Sequence, residues 1–500
     1  MAHWFRYRTT HGISPTVPPK GPQVANVDHK ALLRLMNAVS GPFYMPGDAG
    51  YPSATAQSDP LYVRRPIAVV MCRSVSDVQA CVLWCNETGV SASFRSGGHS
   101  TAGYSVLDGT LTVDLSLMNA ISVRPAARTA TVEAGVNFER LNTELDKFNL
   151  HVPGGGCGTV CVAGYMQGGG YGFTSRCFGM NCDHVSEVEF VASAGDVQIA
   201  NAKTNPDLFW AFRGGSGGNF GVVTRITYML HPLGGIWGFG LTWPLDKAEA
   251  ALSVMQAEYM RGGPEEIGYM AFVMPRLDPK TKQYKLGLFM RGVCIVGRDK
   301  GKALLASLEK TGGTYDLDKM ESYAFLNGFL LADLEPNIDN IYELKASNYI
   351  AKPLYPADWA EVVDIMRNAP KTLAANANTL VLEPYGGKID DVNARTDNAF
   401  IHRNVDMNMV IDSFFGPAVE EPDAQAWLQR FRDFLRGPLG RSNGQVYQNY
   451  PEADLSGWAE AYFADALPRL KRIKCEADKP TAAYPKGFFS YPQSIVPDPD

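Results

Sequence analysis

No stretch of this sequence approaches the run of about 20 apolar residues that a membrane-crossing helix requires. The N-terminal MAHWFRYRTTHGISPTVPP also lacks the apolar segment of a secretory signal, so the expected compartment is the cytoplasm. Charge of one sign is scarce too: 46 Lys and Arg stand against 52 Asp and Glu, a net charge of −6, with both signs interspersed. That balance speaks against nucleic acid or an anionic membrane as the main partner. Internal repeats and low-complexity tracts are missing. No G-x-G-x-x-G follows the first predicted strand, which removes the nicotinamide-dinucleotide fingerprint. The nine cysteines form no compact disulfide framework, because the count is odd and several fall on apolar faces. Cys157, Cys161, Cys177 and Cys182 lie close together, yet they match no common zinc-ligand spacing, and no metal is expected.

What remains is a 500-residue chain, 45% hydrophobic, able to bury large cores in more than one domain. The segment up to about Pro60 is rich in Pro, Gly and Ser and is expected to wrap a surface with little regular structure. In SVSDVQACVLWCNETG, Ser76 and Gln79 read as a capping box. Val78, Cys81, Val82 and Cys85 then follow helical spacing to a closing Gly89, so both cysteines belong on a buried face. VSASF and the alternating LTVDL read as strands, as do ATVEAG near 130 and EVEFVA near 188. From Gly238 to about Arg436 glycine thins out and amphipathic segments lengthen, ending in the helical pattern DAQAWLQRFRDFLRG.

Three glycine-rich stretches adjoin predicted strands. RSGGHS, Arg95 to Ser100, combines a cation, two hydroxyls and two glycines, which suits a pyrophosphate held by backbone N–H groups. By itself it is no more than a glycine turn holding a histidine. PGGGCGTVCVAGYMQGGGYGF, from Pro153, holds nine glycines in 21 residues, a cost in backbone entropy that makes sense where the main chain lies against a flat ligand. DLFWAFRGGSGGNFGVVTRI, from Asp207, leads through glycines into another strand. Together the three suggest one large cofactor cradled by backbone.

These stretches, followed by PYGGKI, NAFIHR and YQNYPEADL, keep the order of motifs of the berberine bridge enzyme-like flavoproteins, within the vanillyl-alcohol oxidase type of FAD fold. The sequence resembles that family from about Arg65 to Pro497, although MCRS at 71–74 lacks a common proline and YFADALPRLKRIK is looser than usual. The resemblance implies an α+β fold of the vanillyl-alcohol oxidase (PCMH) type. It comprises an FAD-binding domain at 1–236 with its core at about 62–233, an inserted substrate domain at 237–436 with an antiparallel sheet covered by helices, and a C-terminal segment at 437–500 completing the FAD domain. It also implies FAD attached covalently through His99 and Cys157, which stand 58 positions apart. Further cofactor contacts fall on Arg95, Ser96, Gly97, Gly98, Ser100, Gly103, Thr159, Val160, Gly164, Gly168, Gly169, Gly172, Gly221, Val222, Val223, Tyr447 and Asn449. Val160 stands where members carry a gatekeeper, and a valine resembles those that let dioxygen react.

Oxidation of an alcohol carbon needs a group to take the hydroxyl proton. The resemblance points to Tyr447 of YQNY as that base, with Glu383, Tyr385 and Lys388 as candidate assistants. An extended YQNY would put Tyr447 and Asn449 on one side and Gln448 and Tyr450 on the other. Tyr450 and Tyr385 read equally as ordinary half-buried strand aromatics. The expected activity is an FAD oxidase taking a hydride from an alcohol carbon, with the anomeric carbon of a sugar foremost, and reducing dioxygen to hydrogen peroxide. The alternative is a tailoring enzyme for an alkaloid, antibiotic or other natural product.

Overall fold

A computed structural model describes residues 28–278, 281–332, 334, 341–370, 377–391, 394–437 and 439–497. Residues 1–27, with the N-terminal motif quoted above, lie outside the described residues. The segment before Pro60 is more regular than its composition suggests. It holds a helix at His29–Ala38, capped by Asp28, and a short helix at Tyr51–Thr55. Ala31 and Leu35 are buried beside the helix Val75–Thr88, whose Trp84 indole donates to Ala31 O at 2.8 Å.

Strands β1 (Phe43–Tyr44), β2 (Ala68–Met71), β3 (Ala92–Arg95) and β4 (Leu111–Asp114) form a sheet in the order β1-β2-β4-β3, with β2 and β3 parallel to β4. The crossover helix Val75–Thr88 buries Cys81 and Cys85 and ends on Gly89 at φ +71, as the spacing predicts. Its cap differs from expectation. Ser74, not Ser76, accepts from Asp77 N, because Ser76 is already helical.

Strands β5 (Ile121–Arg124), β6 (Thr129–Glu133), β7 (Leu150–His151), β8 (Val185–Val191), β9 (Val197–Asn201), β10 (Val222–Met229) and β11 (His231–Pro232) follow. An antiparallel sheet β5-β6-β10-β8-β9 takes five of them, and β7 pairs with β11. Between β7 and β8 the chain packs backbone on backbone. A Cβ at Gly172 would lie 1.8 Å from Gly154 O, so only glycine fits. Gly172→Ala is expected to destabilise the protein by about 1–3 kcal/mol through overpacking, read as a lower denaturation midpoint.

The remaining strands are β12 (Ile236–Pro244), β13 (Ile267–Leu277), β14 (Tyr284–Cys294), β15 (Thr314–Glu321), β16 (Tyr342–Ile350), β17 (Thr379–Pro384) and β18 (Met407–Phe415). They build one antiparallel sheet in the order β15-β12-β14-β13-β17-β18-β16. The period of two along each strand decides what each face carries. Ala271, Val273, Leu380, Leu382, Met409 and Ile411 point to the back, where Met255, Trp359, Val362, Trp427 and Phe431 from three helices cover them in a separate core. The opposite face meets the glycine-rich half of the chain. A mixed α+β architecture of the expected type is therefore observed, with the expected helix formed at Glu421–Arg436. Among the described residues no helix is long and apolar enough to cross a membrane.

Candidate active site

All three glycine-rich loops open onto one cavity. The first leaves β3 at Arg95 and turns through Gly98, whose φ of +71 suits glycine. The Arg95 guanidinium does not point at a ligand as a spare cation. Register sets Arg95 opposite Asp114, and the two form an ion pair while Arg95 Nη1 donates to Ala56 O at 2.8 Å. Donors to an anion are thus left to the Ser96–Ser100 segment, which lines the wall.

The second loop carries Cys157, Thr159 and Val160 and is fixed by Phe138 N to Val160 O at 3.1 Å and Glu139 N to Gly158 O at 2.9 Å. Thr159 Oγ1 lies 3.2 Å from Cys157 Sγ and 3.1 Å from His99 Nε2, bringing the two predicted attachment residues together. Burial pushes the His99 imidazole down to about 4, against opposing effects of Glu343 and a Thr159 backbone hydrogen bond, so the ring is a neutral nucleophile near pH 7.

The third loop, with Ser216, Gly217, Gly218 and Gly221, is clamped by the C-terminal segment. The buried Lys474 ammonium donates to Asn219 O at 2.6 Å, and Ile495 N donates to Asn219 Oδ1 at 2.8 Å.

The walls fit a long polar cofactor such as FAD. At Gly164 an added Cβ would reach into the space between loops, with nothing nearer than Ser96 Oγ at 4.0 Å. Among the described residues Gln167 Oε1, buried on the same wall, has no hydrogen-bond partner. Both are features that a ligand lying along the backbone would complete.

The far wall is the front face of the seven-stranded sheet. Met270 and Phe272 of β13, Val381 and Glu383 of β17, Val410 and Asp412 of β18, and Glu343 and Lys345 of β16 alternate with the back-facing core residues. Lys345 is held by Glu343 at 2.7 Å and by Asp412, and its ammonium stands 5.1 Å from the Tyr450 ring centroid. Tyr450 Oη donates to Glu383 Oε1 at 2.6 Å, and Asn408 Nδ2 donates to Oε2 at 2.8 Å. Burial raises the Glu383 carboxyl above its ordinary range, against the pull of those two hydrogen bonds and Lys345. Burial also raises Asp59 and Asp412 to about 7 each.

The structure alters several expectations. YQNY is a turn closed by Tyr450 N to Tyr447 O at 2.9 Å, not an extended segment, so the two rings pack edge to face at 4.9 Å. Tyr447 Oη accepts from Gly170 N, Tyr171 N and Asn449 Nδ2 at 3.0, 3.1 and 3.0 Å. Three N–H donors thus converge on the Tyr447 oxygen, whereas Tyr450 is the YQNY tyrosine whose hydroxyl reaches a carboxylate. Lys388 is half-exposed, pairs with Glu265 at 3.1 Å and is absent from the cavity wall. Tyr385 sits behind the wall, stacked on Tyr171 at 5.4 Å and bonded to Tyr349 Oη at 3.0 Å.

Gly103, Gly168, Gly169 and Gly172 are close-packing glycines, set against Tyr62, Asn449, Phe400 and Gly154, and do not line the cavity. Thr159 also stands just outside the wall, while Arg95, Ser96, Gly97, Gly98, His99, Ser100, Cys157, Val160, Gly164, Gly221, Val222, Val223, Glu383, Tyr447 and Asn449 line it. The sequence reading did not find Asp59, Glu343, Lys345 or Asp412. For Glu343, Lys345 and Asp412 the signal was a charge set inside a strand, as in YELKASNYI and MVIDSFF, where a buried charge demands a reason; Asp59, in a bend, offered none.

The FAD binding domain family matches residues 66–201, and the berberine and berberine-like family matches residues 446–496. The uncharacterised FAD-linked oxidoreductase YgaK of Bacillus subtilis is 26% identical over 90% of this chain and 95% of its own. The xylooligosaccharide oxidase of Thermothelomyces thermophilus is 28% identical over 86% of this chain and 87% of its own. Among solved structures, BBE-like 1 of Physcomitrella patens superposes with a TM-score of 0.81 at 26% identity, covering 94% of this chain and all of that one. The cavity, its glycine loops and these likenesses make the protein an FAD-dependent oxidoreductase, with an FAD binding domain at 66–201 and a berberine-like segment at 446–496.

Proposed function

We propose that the protein is an oxidase that removes a hydride from an alcohol carbon, foremost the anomeric carbon of a sugar or oligosaccharide, and passes the electrons to dioxygen. The observation that carries this reading is the Tyr450–Glu383 hydrogen bond on the sheet face opposite His99 and Cys157, in one shared cavity. When bound, the flavin supplies a two-electron acceptor for the hydride. The chain's own residues manage the proton. Tyr450 Oη accepts the substrate hydroxyl proton as it gives its own to Glu383, so no free phenolate is needed although burial raises the Tyr450 phenol. Lys345 over the Tyr450 ring steadies negative charge developing on that oxygen. Tyr447 and Asn449 position the turn, and Val160 at the cavity wall leaves room for dioxygen.

The xylooligosaccharide oxidase relative supports a sugar. The second reading, tailoring of a basic natural product, is favoured by the cavity's charge: Asp59, Glu343, Glu383 and Asp412 against Lys345 and Arg95, the latter paired with Asp114. Anaerobic mixing with aldoses, oligosaccharides and amine-bearing alcohols, followed by air, separates the two. Bleaching of the visible spectrum by sugars, reversed by air with peroxide release, is expected. Bleaching only by the amines would shift the assignment to the second reading.

Covalent attachment through His99 and Cys157 belongs to the same proposal. After acid precipitation the yellow colour is expected to stay with the protein, and to be lost only in the His99→Ala, Cys157→Ala double variant. A white pellet from the wild-type protein would refute both links.

A further inference from the structure

Resting on the two-link reading above, we infer that Thr159 is the positioning residue that couples the two flavin attachments. Its hydroxyl draws the thiol proton of Cys157 toward His99 Nε2, so that the sulfur can bond to the flavin.

One oxygen stands between both attachment side chains, 3.2 Å from Cys157 Sγ and 3.1 Å from His99 Nε2. A hydroxyl has one proton to give and lone pairs to accept, so S–H···Oγ1–H···Nε2 is a complete chain. The arrangement is built rather than incidental. The loop carrying Cys157 and Thr159 is pinned to the helix Phe138–Asp146 through Glu139 N to Gly158 O and Phe138 N to Val160 O. The histidine comes from a different loop, 60 residues earlier, and shares no local sequence reason to meet Thr159. The His99 ring is neutral near pH 7, so Nε2 presents a lone pair to the Thr159 hydroxyl, and because burial lowers the ring to about 4 the proton moves toward it only in concert with C–S bond formation. His99 attaches through Nδ1: its N–H bond and one C–H bond of a flavin methyl group break as the N–C bond forms, the two electrons left on the flavin pass to dioxygen, and Nε2 keeps its lone pair toward Thr159.

The chemistry explains why a relay is needed. A thiol is a poor nucleophile until its proton leaves, and its ordinary pKa of about 8.5 leaves it mostly protonated near neutrality. In the Cys157 step the S–H bond and one flavin ring C–H bond break and a C–S bond forms. Two electrons and two protons remain on the flavin, which dioxygen re-oxidises with release of hydrogen peroxide. The S–H proton moves through the Thr159 hydroxyl toward His99 Nε2 as the C–S bond forms and is one of the two that leave in the hydrogen peroxide. Removing the hydroxyl leaves the loop's shape but breaks the chain at its middle.

The test is Thr159→Val, which keeps the branched shape, beside Thr159→Ser, which keeps the hydroxyl. Each apoprotein is mixed with FAD in air, and the two flavin-bearing peptides are followed by mass spectrometry over time. Thr159→Val is expected to form the Cys157 link about 100-fold more slowly than wild type, with the thiol still open to alkylation. Thr159→Ser should restore the rate, and raising the pH should partly rescue Thr159→Val by ionising the thiol directly. Equal Cys157 rates in wild type and Thr159→Val, both carrying two links, would overturn the relay and leave the two-link reading intact. A wild-type protein with no Cys157 adduct would overturn that reading itself, and the relay with it.

Discussion

Replacing Glu383 by Gln is expected to lower kcat on any accepted alcohol by about 10²- to 10⁴-fold while the flavin content stays unchanged. The amide keeps the shape and can still accept from Tyr450 Oη, now at 2.6 Å from Glu383 Oε1, but it cannot take the proton. Tyr450→Phe should fall by a similar factor, because it removes the only step between substrate hydroxyl and carboxylate in the proposed relay. The double variant should be little worse than either single one, since the two act as a unit.

The pH profile supplies an independent check. Burial raises the Glu383 pKa, so its carboxylate is lost at a higher pH than an ordinary glutamate's. Only the ionised carboxylate accepts the proton. Wild-type kcat should therefore fall as pH drops through that raised value, and the fall should vanish in Glu383→Gln. A profile that keeps its acid limb in Glu383→Gln would assign the base elsewhere, as would a loss of less than tenfold.

The loops around the cavity were legible in the sequence because their glycines bring backbone to its wall. Glycine clusters such as GGGCGTVCVAGYMQGGGYG mark where a main chain must lie close to something, whatever the side chains are doing. Not every glycine meant a ligand, however. Gly168, Gly169 and Gly172 serve contacts within the protein, and composition cannot separate the two uses. The substrate half depended on tertiary register. Which of Glu383, Lys388 and Tyr385 faces the cavity follows from the pleat of β17 and from where its end turns away, and neither is written in PYGG. That Tyr450 meets Glu383 turned on one local event, the closing of YQNY into a turn, which no alternation pattern foretells.

The cation at Arg176 was invisible for a similar reason. Its guanidinium is 1% exposed and, among the described residues, makes no salt bridge. It donates instead to four carbonyls: Ile267 O at 3.1 Å, Met260 O at 3.0 Å, Pro264 O at 3.2 Å and Tyr385 O. Those acceptors belong to the start of β13, the approach to it and the end of β17, whereas Arg176 sits in the helix Ser175–Phe178 beside the glycine-rich loop. One side chain thus ties the sheet that carries Glu383 to the loop region that carries Cys157. Arg176→Met should destabilise the protein by about 4 kcal/mol. Each carbonyl left unsatisfied costs about 1–3 kcal/mol, and the relief of burying no charge offsets part of the sum. Arg176→Lys should lie between, because three donors on a point charge cannot reach four acceptors spread in a plane. Urea unfolding gives the stability, and limited proteolysis tells how it is lost. If the cation is the tie between the two halves, cleavage in Arg176→Met should concentrate around residues 260–268 before the rest of the chain is cut. An unchanged midpoint and an unchanged cleavage pattern would show that the facing cores hold the halves together without it.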